Sequence, residues 1–196
     1  MYRADILTIG QYICSLINVE ENDEFYTKIG EDFIEYVKPK NVHYFMKELL
    51  IKGNVKLIGF LLHKIKVDIF ISKPIRLQND GATCNVTIYK NSNHFNKEKQ
   101  PLFVKEFIND CDTFILLDNL ISMRKSHGSF LIDDIFSESK CPILIQAGYL
   151  KYGDYIYRKE NNTLEELFKY YSNIGFTEIE RQSESIIMVK GVITNE

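Results

Sequence analysis

Between Met123 and Phe130 the chain reads Arg124-Lys125-Ser126-His127-Gly128-Ser129, two cations followed by small polar residues and one glycine. Upstream lies a continuous apolar run, Phe114, Ile115, Leu116 and Leu117; downstream, Phe130, Leu131, Ile135 and Phe136 recur at helical spacing. The run predicts a strand covered on both faces, and the recurrence predicts an amphipathic helix with Asp133 and Asp134 on its wet side. A tight turn between the two aims the unbonded N–H groups of the helix start at one point, where Arg124 and Lys125 add positive charge. Phosphate or pyrophosphate binding is the chemistry such a turn suits; an ordinary solvated turn is the plain alternative. Asp118 is the second candidate. A carboxylate among Leu116, Leu117 and Leu120 is paired, or raised in pKa as a proton acceptor requires, or sits at a strand end in water. His63, His94 and His127 show no carboxylate partner in the sequence. Cys14, Cys84, Cys111 and Cys141 are scattered, with no Cys-x-x-Cys and no histidine at ligand spacing, so reduced thiols and no metal site are expected.

The elements that must hold these residues can be read along the chain. Residues 4–9 are ambiguous between a strand and a helix face, and a short strand feeding a helix is the expectation. Phe25, Ile29, Phe33, Ile34 and Val37 mark a helix that stops before Pro39, and Asn41 caps a second one closed by Gly53. Val55 to His63 reads as a β-rich apolar run with a bulge at Gly59, and residues 67–72 as another strand. Asn79-Asp80-Gly81 predicts a hairpin with a type I′ turn, followed by alternation through Cys84, Val86 and Ile88. Residues 91–100 form a polar loop, and Pro101 opens a helix through Asn109. After the strand and helix that flank the basic turn, residues 142–147 read as a buried strand. Residues 148–162, with Tyr149, Tyr152, Tyr155 and Tyr157, are expected to pack irregularly on the sheet or to line a pocket. Thr163 and Glu166 form a capping box for a last helix, whose stripe is Leu164, Leu167, Phe168, Tyr171 and Ile174 and which Gly175 closes. Strands at 177–181 and 186–193 finish the chain.

Strand, basic turn and helix together resemble the acetyl-CoA-binding motif of the GNAT-type N-acetyltransferases, Arg/Gln-x-x-Gly-x-Gly/Ala followed by two large apolar residues. Laid on Leu131 and Ile132, the glycine positions fall on Ser126 and Gly128 and the leading position on Met123. A second register from Arg124 puts His127 and Ser129 at the glycine positions. Residues 162–176, ending Tyr171-Ser172-Asn173-Ile174-Gly175-Phe176, resemble the family's last helix, in the order the family requires. The resemblance implies a single domain over 1–196 of mixed α/β, α+β-like, GNAT-like fold. Its central sheet would be largely antiparallel, with one parallel splayed strand pair and flanking helices.

The resemblance also implies a reaction, direct attack of a primary amine on the thioester of acetyl-CoA, which serves as co-substrate without a metal. Leu120, Ile121 and Ser122 would pair with the pantetheine arm. The turn N–H groups at Ser126, His127, Gly128 and Ser129, helped by Arg124 and Lys125, would take the pyrophosphate. Tyr171 would be the general acid and Asp118 a base, or water would relay the proton; His43 and Glu48 stay open as acceptor contacts. A GNAT-like module that has lost catalysis and serves binding or regulation is the alternative, and an unrelated α/β binding protein the third reading.

Composition narrows the partners. The 196 residues carry 45% apolar and 26% charged side chains and a net charge of −3, with pI ≈ 5.9. Such a chain has no overall basic field for nucleic acid, and no apolar run approaches the roughly 20 residues that cross a bilayer. A cytoplasmic protein, monomer or homodimer, acting on a small-molecule or peptide amine is the expectation. Mild acidity leans towards a cationic acceptor, and the choice among antibiotic, polyamine, peptide N-terminus, lysine and charged tRNA stays open.

Overall fold

The computed structural model describes residues 2–66, 68–70, 74–148, 150–152, 155–157 and 163–191. Four helices precede any strand: α1 (Tyr2–Leu16), α2 (Asp23–Val37), α3 (Val42–Lys52) and α4 (Val55–His63). Asparagines start three of them, because the side chains of Asn22, Asn41 and Asn54 accept from the N–H groups of Phe25, Tyr44 and Lys56. Lys38, left-handed before Pro39, ends α2, and Gly53 at φ +66° ends α3.

Two expectations fail in this half. The first segment is helical throughout, since Ile9 and Ile13, one turn apart, are both fully buried. Val55–His63 is a helix and not a strand. Six of its nine residues are buried, so the run is apolar on every side and shows neither helical nor strand period.

The strands then assemble as β1 (Ile69–Phe70), β2 (Ile75–Gln78), β3 (Ala82–Lys90), β4 (Phe114–Ser122), β5 (Ile143–Gly148), β8 (Phe176–Arg181) and β9 (Ser185–Lys190). Their order is β1-β3-β4-β5-β9-β8, with β2 also on β3. Every described pair in this sheet is antiparallel except β4 with β5, which is parallel. The mixed α/β fold class therefore stands. β6 (Leu150–Tyr152) and β7 (Tyr155–Tyr157) form a separate hairpin where an irregular connection was expected. Tyr149, the side chains of the other three tyrosines there, residues 67, 71 and 72 of the expected strand and residues 192–193 lie outside what is described.

Three more helices complete the fold: α5 (Leu102–Asp110), α6 (His127–Ser139) and α7 (Leu164–Asn173), the last with its capping box intact. One sheet face presents Val86, Ile88, Ile115, Leu117, Ile143 and Ile145 to a core shared with α1–α4 and α6, with α7 packed against it. The other presents Tyr89, Phe114, Leu116 and Leu144 to α5. Between β2 and β3 the hairpin forms without its predicted turn type. No residue of 79–81 has a positive φ. Instead Asn79 Oδ1 accepts from the N–H groups of Gly81 and Ala82 at 3.0 and 2.7 Å and closes the turn.

Candidate functional site

β4 changes character halfway along. Its registered pairing with β5 runs from Ile115↔Ile143 to Leu117↔Ile145 and ends there, although β4 continues to Ser122 and β5 to Gly148. On its other side β4 carries one residue more than β3, with Asn119 and Leu120 between the pairs Asn85↔Asp118 and Thr83↔Ile121 and only Cys84 opposite. Asn119 takes φ +52°, a left-handed value that asparagine tolerates better than most residues. The extra residue shifts the alternation. Leu117 and Leu120 both face the α6 side, and Ser122 continues that face.

Ser122 then organises the turn. Its Oγ donates to the carbonyl of Arg124 at 2.7 Å and accepts from the N–H of Gly128 at 3.2 Å. Gly128 is buried, and a Cβ there would lie 3.0 Å from the Tyr170 hydroxyl and 3.2 Å from Ser122 Cβ. Ser126, at the start of α6, has φ +65° and ψ −8°, so the serine at the family's first glycine position holds a glycine-like conformation. Of the turn N–H groups, Met123 and Arg124 donate to Gly81 O at 2.7 and 3.2 Å, and His127 to Arg124 O at 3.3 Å. No acceptor reaches the N–H groups of Lys125, Ser126 and Ser129 among the described residues, nor does a carboxylate pair with Arg124 or Lys125. Five donors are thus free where an anion could sit: three amides and two cationic side chains.

The two proton-transfer candidates lie on opposite sheet faces. Asp118 shares the α5 face with Leu116, pairs in register with Asn85, and is half-buried with no hydrogen bond or ion pair among the described residues. Burial raises its carboxyl above the usual range. Tyr171 packs on the other face, edge-on to Phe176 at 5.4 Å and to Tyr170 at 5.1 Å. Burial pushes its phenol well above the ordinary value, and the Tyr170 phenol and Cys84 thiol add to the shift. No hydrogen bond reaches its hydroxyl among the described residues.

Leu120 is half-buried, and Ile121, Ser122, Arg124, Lys125 and Ser126 are exposed along the free end of β4 and the turn. His43 and Glu48 are elsewhere, His43 Nδ1 3.3 Å from Asp5 Oδ1 and Glu48 accepting from the Tyr44 hydroxyl at 3.1 Å. Three residues at the turn escaped the sequence reading. Tyr170 lies off the apolar stripe of α7, and nothing local signals that Asn79 and Gly81, more than forty positions upstream, would touch the turn. Among the described residues no group of three or more His, Cys, Asp or Glu could hold a metal ion, and no helix is long and apolar enough to cross a membrane.

No protein-family model matches the chain, and no curated protein sequence matches it. Among solved structures it is similar to the anti-CRISPR protein AcrVA5, at 16% identity and a TM-score of 0.36 over 60% of this chain and 97% of that one. It is also similar to a PaiA N-acetyltransferase from Thermoplasma acidophilum in complex with coenzyme A, at 11% identity and a TM-score of 0.36 over 97% of this chain and 91% of that one. Similarities this slight show neither family nor activity. The functional reading rests on the chain's own residues.

Proposed function

We propose that the protein is a GNAT-like acyltransferase that moves an acetyl group from acetyl-CoA to a primary amine. The observation that carries this reading is the free end of β4. A strand parallel to its neighbour parts from it after three registered pairs and runs, through a left-handed asparagine, into a helix start with unpaired N–H groups.

The turn fits the phosphate groups of such a substrate. Lys125, Ser126 and Ser129 offer backbone donors, Arg124 and Lys125 offer charge, and the absence of a Cβ at Gly128 lets Ser122 and Tyr170 pack closely against the helix start. Residues 120–122 lie beyond the last registered pair with β5, and their backbone groups on that side would bond the amide arm. Asp118 would take the proton of an arriving ammonium, and its raised pKa makes it the stronger base. The free amine nitrogen then forms its bond to the thioester carbonyl carbon, the carbon–sulfur bond breaks, and the nitrogen sheds its second proton to water, from which the proton donor is later restored. Tyr171, protonated through the neutral range as any phenol is, would return a proton to the departing thiolate from the opposite face. On this reading the acceptor enters on the α5 side of the sheet, so His43 and Glu48, on α3, are not acceptor contacts.

A second reading, a GNAT-like module that holds an acyl-CoA or a partner without turnover, is favoured by one observation. Four of the turn's N–H groups, those of Met123, Arg124, His127 and Gly128, are already spent within the protein. Calorimetric titration with acetyl-CoA, followed by thiol release with a panel of amines, separates the two. Binding with release supports the transferase, and binding without release for any amine supports the module. Absence of binding at millimolar acetyl-CoA sinks both. Gly128→Val should abolish the binding heat while the circular dichroism of the fold stays unchanged.

A further inference from the structure

We propose that Asn79 is a positioning residue, whose side-chain amide locks the β2–β3 turn onto the 123–128 turn and thereby sets which N–H groups face the substrate phosphates. The inference rests on the acyl-CoA reading above and goes beyond it, since Asn79 is 44 to 49 positions upstream of the turn (123 − 79 = 44, 128 − 79 = 49) and belongs to no motif in it.

The two ends of the Asn79 amide have separate tasks. Oδ1 serves the hairpin alone, accepting from Gly81 and Ala82. Nδ2 serves the other turn alone, donating to the carbonyl of His127 at 2.9 Å. Gly81 supplies the rest of the contact: its carbonyl accepts from both Met123 and Arg124. The surfaces meet so closely that a Cβ on Gly81 would lie 2.6 Å from His127 Cγ and Nδ1 and 3.0 Å from Arg124 Cβ. Residues 123, 124 and 127 are therefore tied to the hairpin from one side. Lys125 and Ser126, between the ties, must bow away from it, and Ser126 does so in the left-handed region at φ +65°. The same ties consume the N–H groups of Met123 and Arg124 and leave those of Lys125, Ser126 and Ser129 without acceptors. Asn79 acts through the turn and not on the substrate.

Hairpin closure needs only the acceptor end of Asn79, which allows the two tasks to be separated. In Asn79→Ser the hydroxyl keeps an acceptor within the hairpin and is too short to reach His127 O, with no change of charge. The expected result is a roughly tenfold rise in the Kd and KM for acetyl-CoA, as loss of one well-placed hydrogen bond implies. The kcat at saturating acetyl-CoA and amine stays unchanged, and the rise persists at high salt because no charge was removed. Amide exchange at Met123 and Arg124 should accelerate in the same variant. Gly81→Ala, in which the new methyl must push the His127 ring aside, should move both readouts the same way. Unchanged exchange and unchanged Kd in folded Asn79→Ser overturn the proposal, as does a fall in kcat with KM intact. Titration of the unaltered protein reads the acyl-CoA premise separately. If that titration shows no binding, the premise fails together with the positioning role built on it, even where exchange shows the two turns coupled.

Discussion

The two halves of β4 are one strand in sequence and two kinds of structure. Phe114–Leu117 is bracketed by β3 and β5, and its four side chains are all buried. The stretch from Asp118 to Ser122 keeps β3, loses β5, gains an extra residue, and ends with Ile121 at 51% exposure. Loss of one neighbour converts a stretch that stabilises the sheet into one that exposes backbone donors and acceptors. It also leaves a carboxylate half-buried with no hydrogen bond or ion pair among the described residues, a cost that a purely structural strand would avoid. The extra residue also divides the strand's candidate site residues between the two sheet faces. Asp118 precedes the extra residue and faces α5; Ser122 follows it and faces α6.

Substitutions in the two halves should therefore fail in different ways. Leu117→Ala, in the paired half, removes a side chain that is 4% exposed and should cost about 2–5 kcal/mol of stability, read as a fall in the urea midpoint. A loss under 1 kcal/mol would show that this half is not the sheet's anchor. Tyr171→Phe, beside the open half, should lower turnover by roughly 10² with acetyl-CoA affinity and melting temperature nearly unchanged. An unaltered rate transfers the donor role to water or to Tyr170.

Asp118→Asn should reduce turnover by a similar or smaller factor while stabilising the protein at neutral pH. The sign follows from burial. A carboxyl whose folded pKa is raised contributes stability below its ordinary pKa and loses that contribution as pH rises through the raised value. The variant's advantage over the unaltered protein should thus widen from about pH 4 upward, since an ordinary aspartate has a pKa of about 3.9. Denaturation midpoints that run parallel across pH would mean that Asp118 is solvated and untuned. The smallest effect is expected at the turn. Ser126→Gly relieves a left-handed serine and should stabilise by about 1 kcal/mol, less the extra entropy of the unfolded glycine chain. Destabilisation instead would mean that the Ser126 side chain holds the turn by contacts of its own, beyond its backbone carbonyl, which accepts from Ser129 Oγ at 2.8 Å.

Much of the frame was legible in the chain itself, because it rests on local chemistry. Asn41 and Gly53 bound α3, Thr163 and Glu166 open α7, and Phe114–Ser122 is the central strand with the bounds its residues suggest. The start of α6 at His127 follows from the switch from basic polar residues to helical spacing. Four features were decided only in three dimensions. Val55–His63 is so uniformly apolar that periodicity carries no information, and burial among the helices and sheet made it helical; its Gly59 lets α6 approach, with a Cβ there only 2.9 Å from Glu138 O. The first segment became a helix because it had α2 and α3 to pack against. The alternation of β4 breaks at Asn119 with no local warning, since an extra residue in one strand is defined only against its partner. The contact of the 79–81 turn with the 123–128 turn is a pairing of distant segments that neither stretch encodes alone, because hydrogen bonds such as Asn79 to His127 form only after the sheet has brought the two ends of β3 and β4 together.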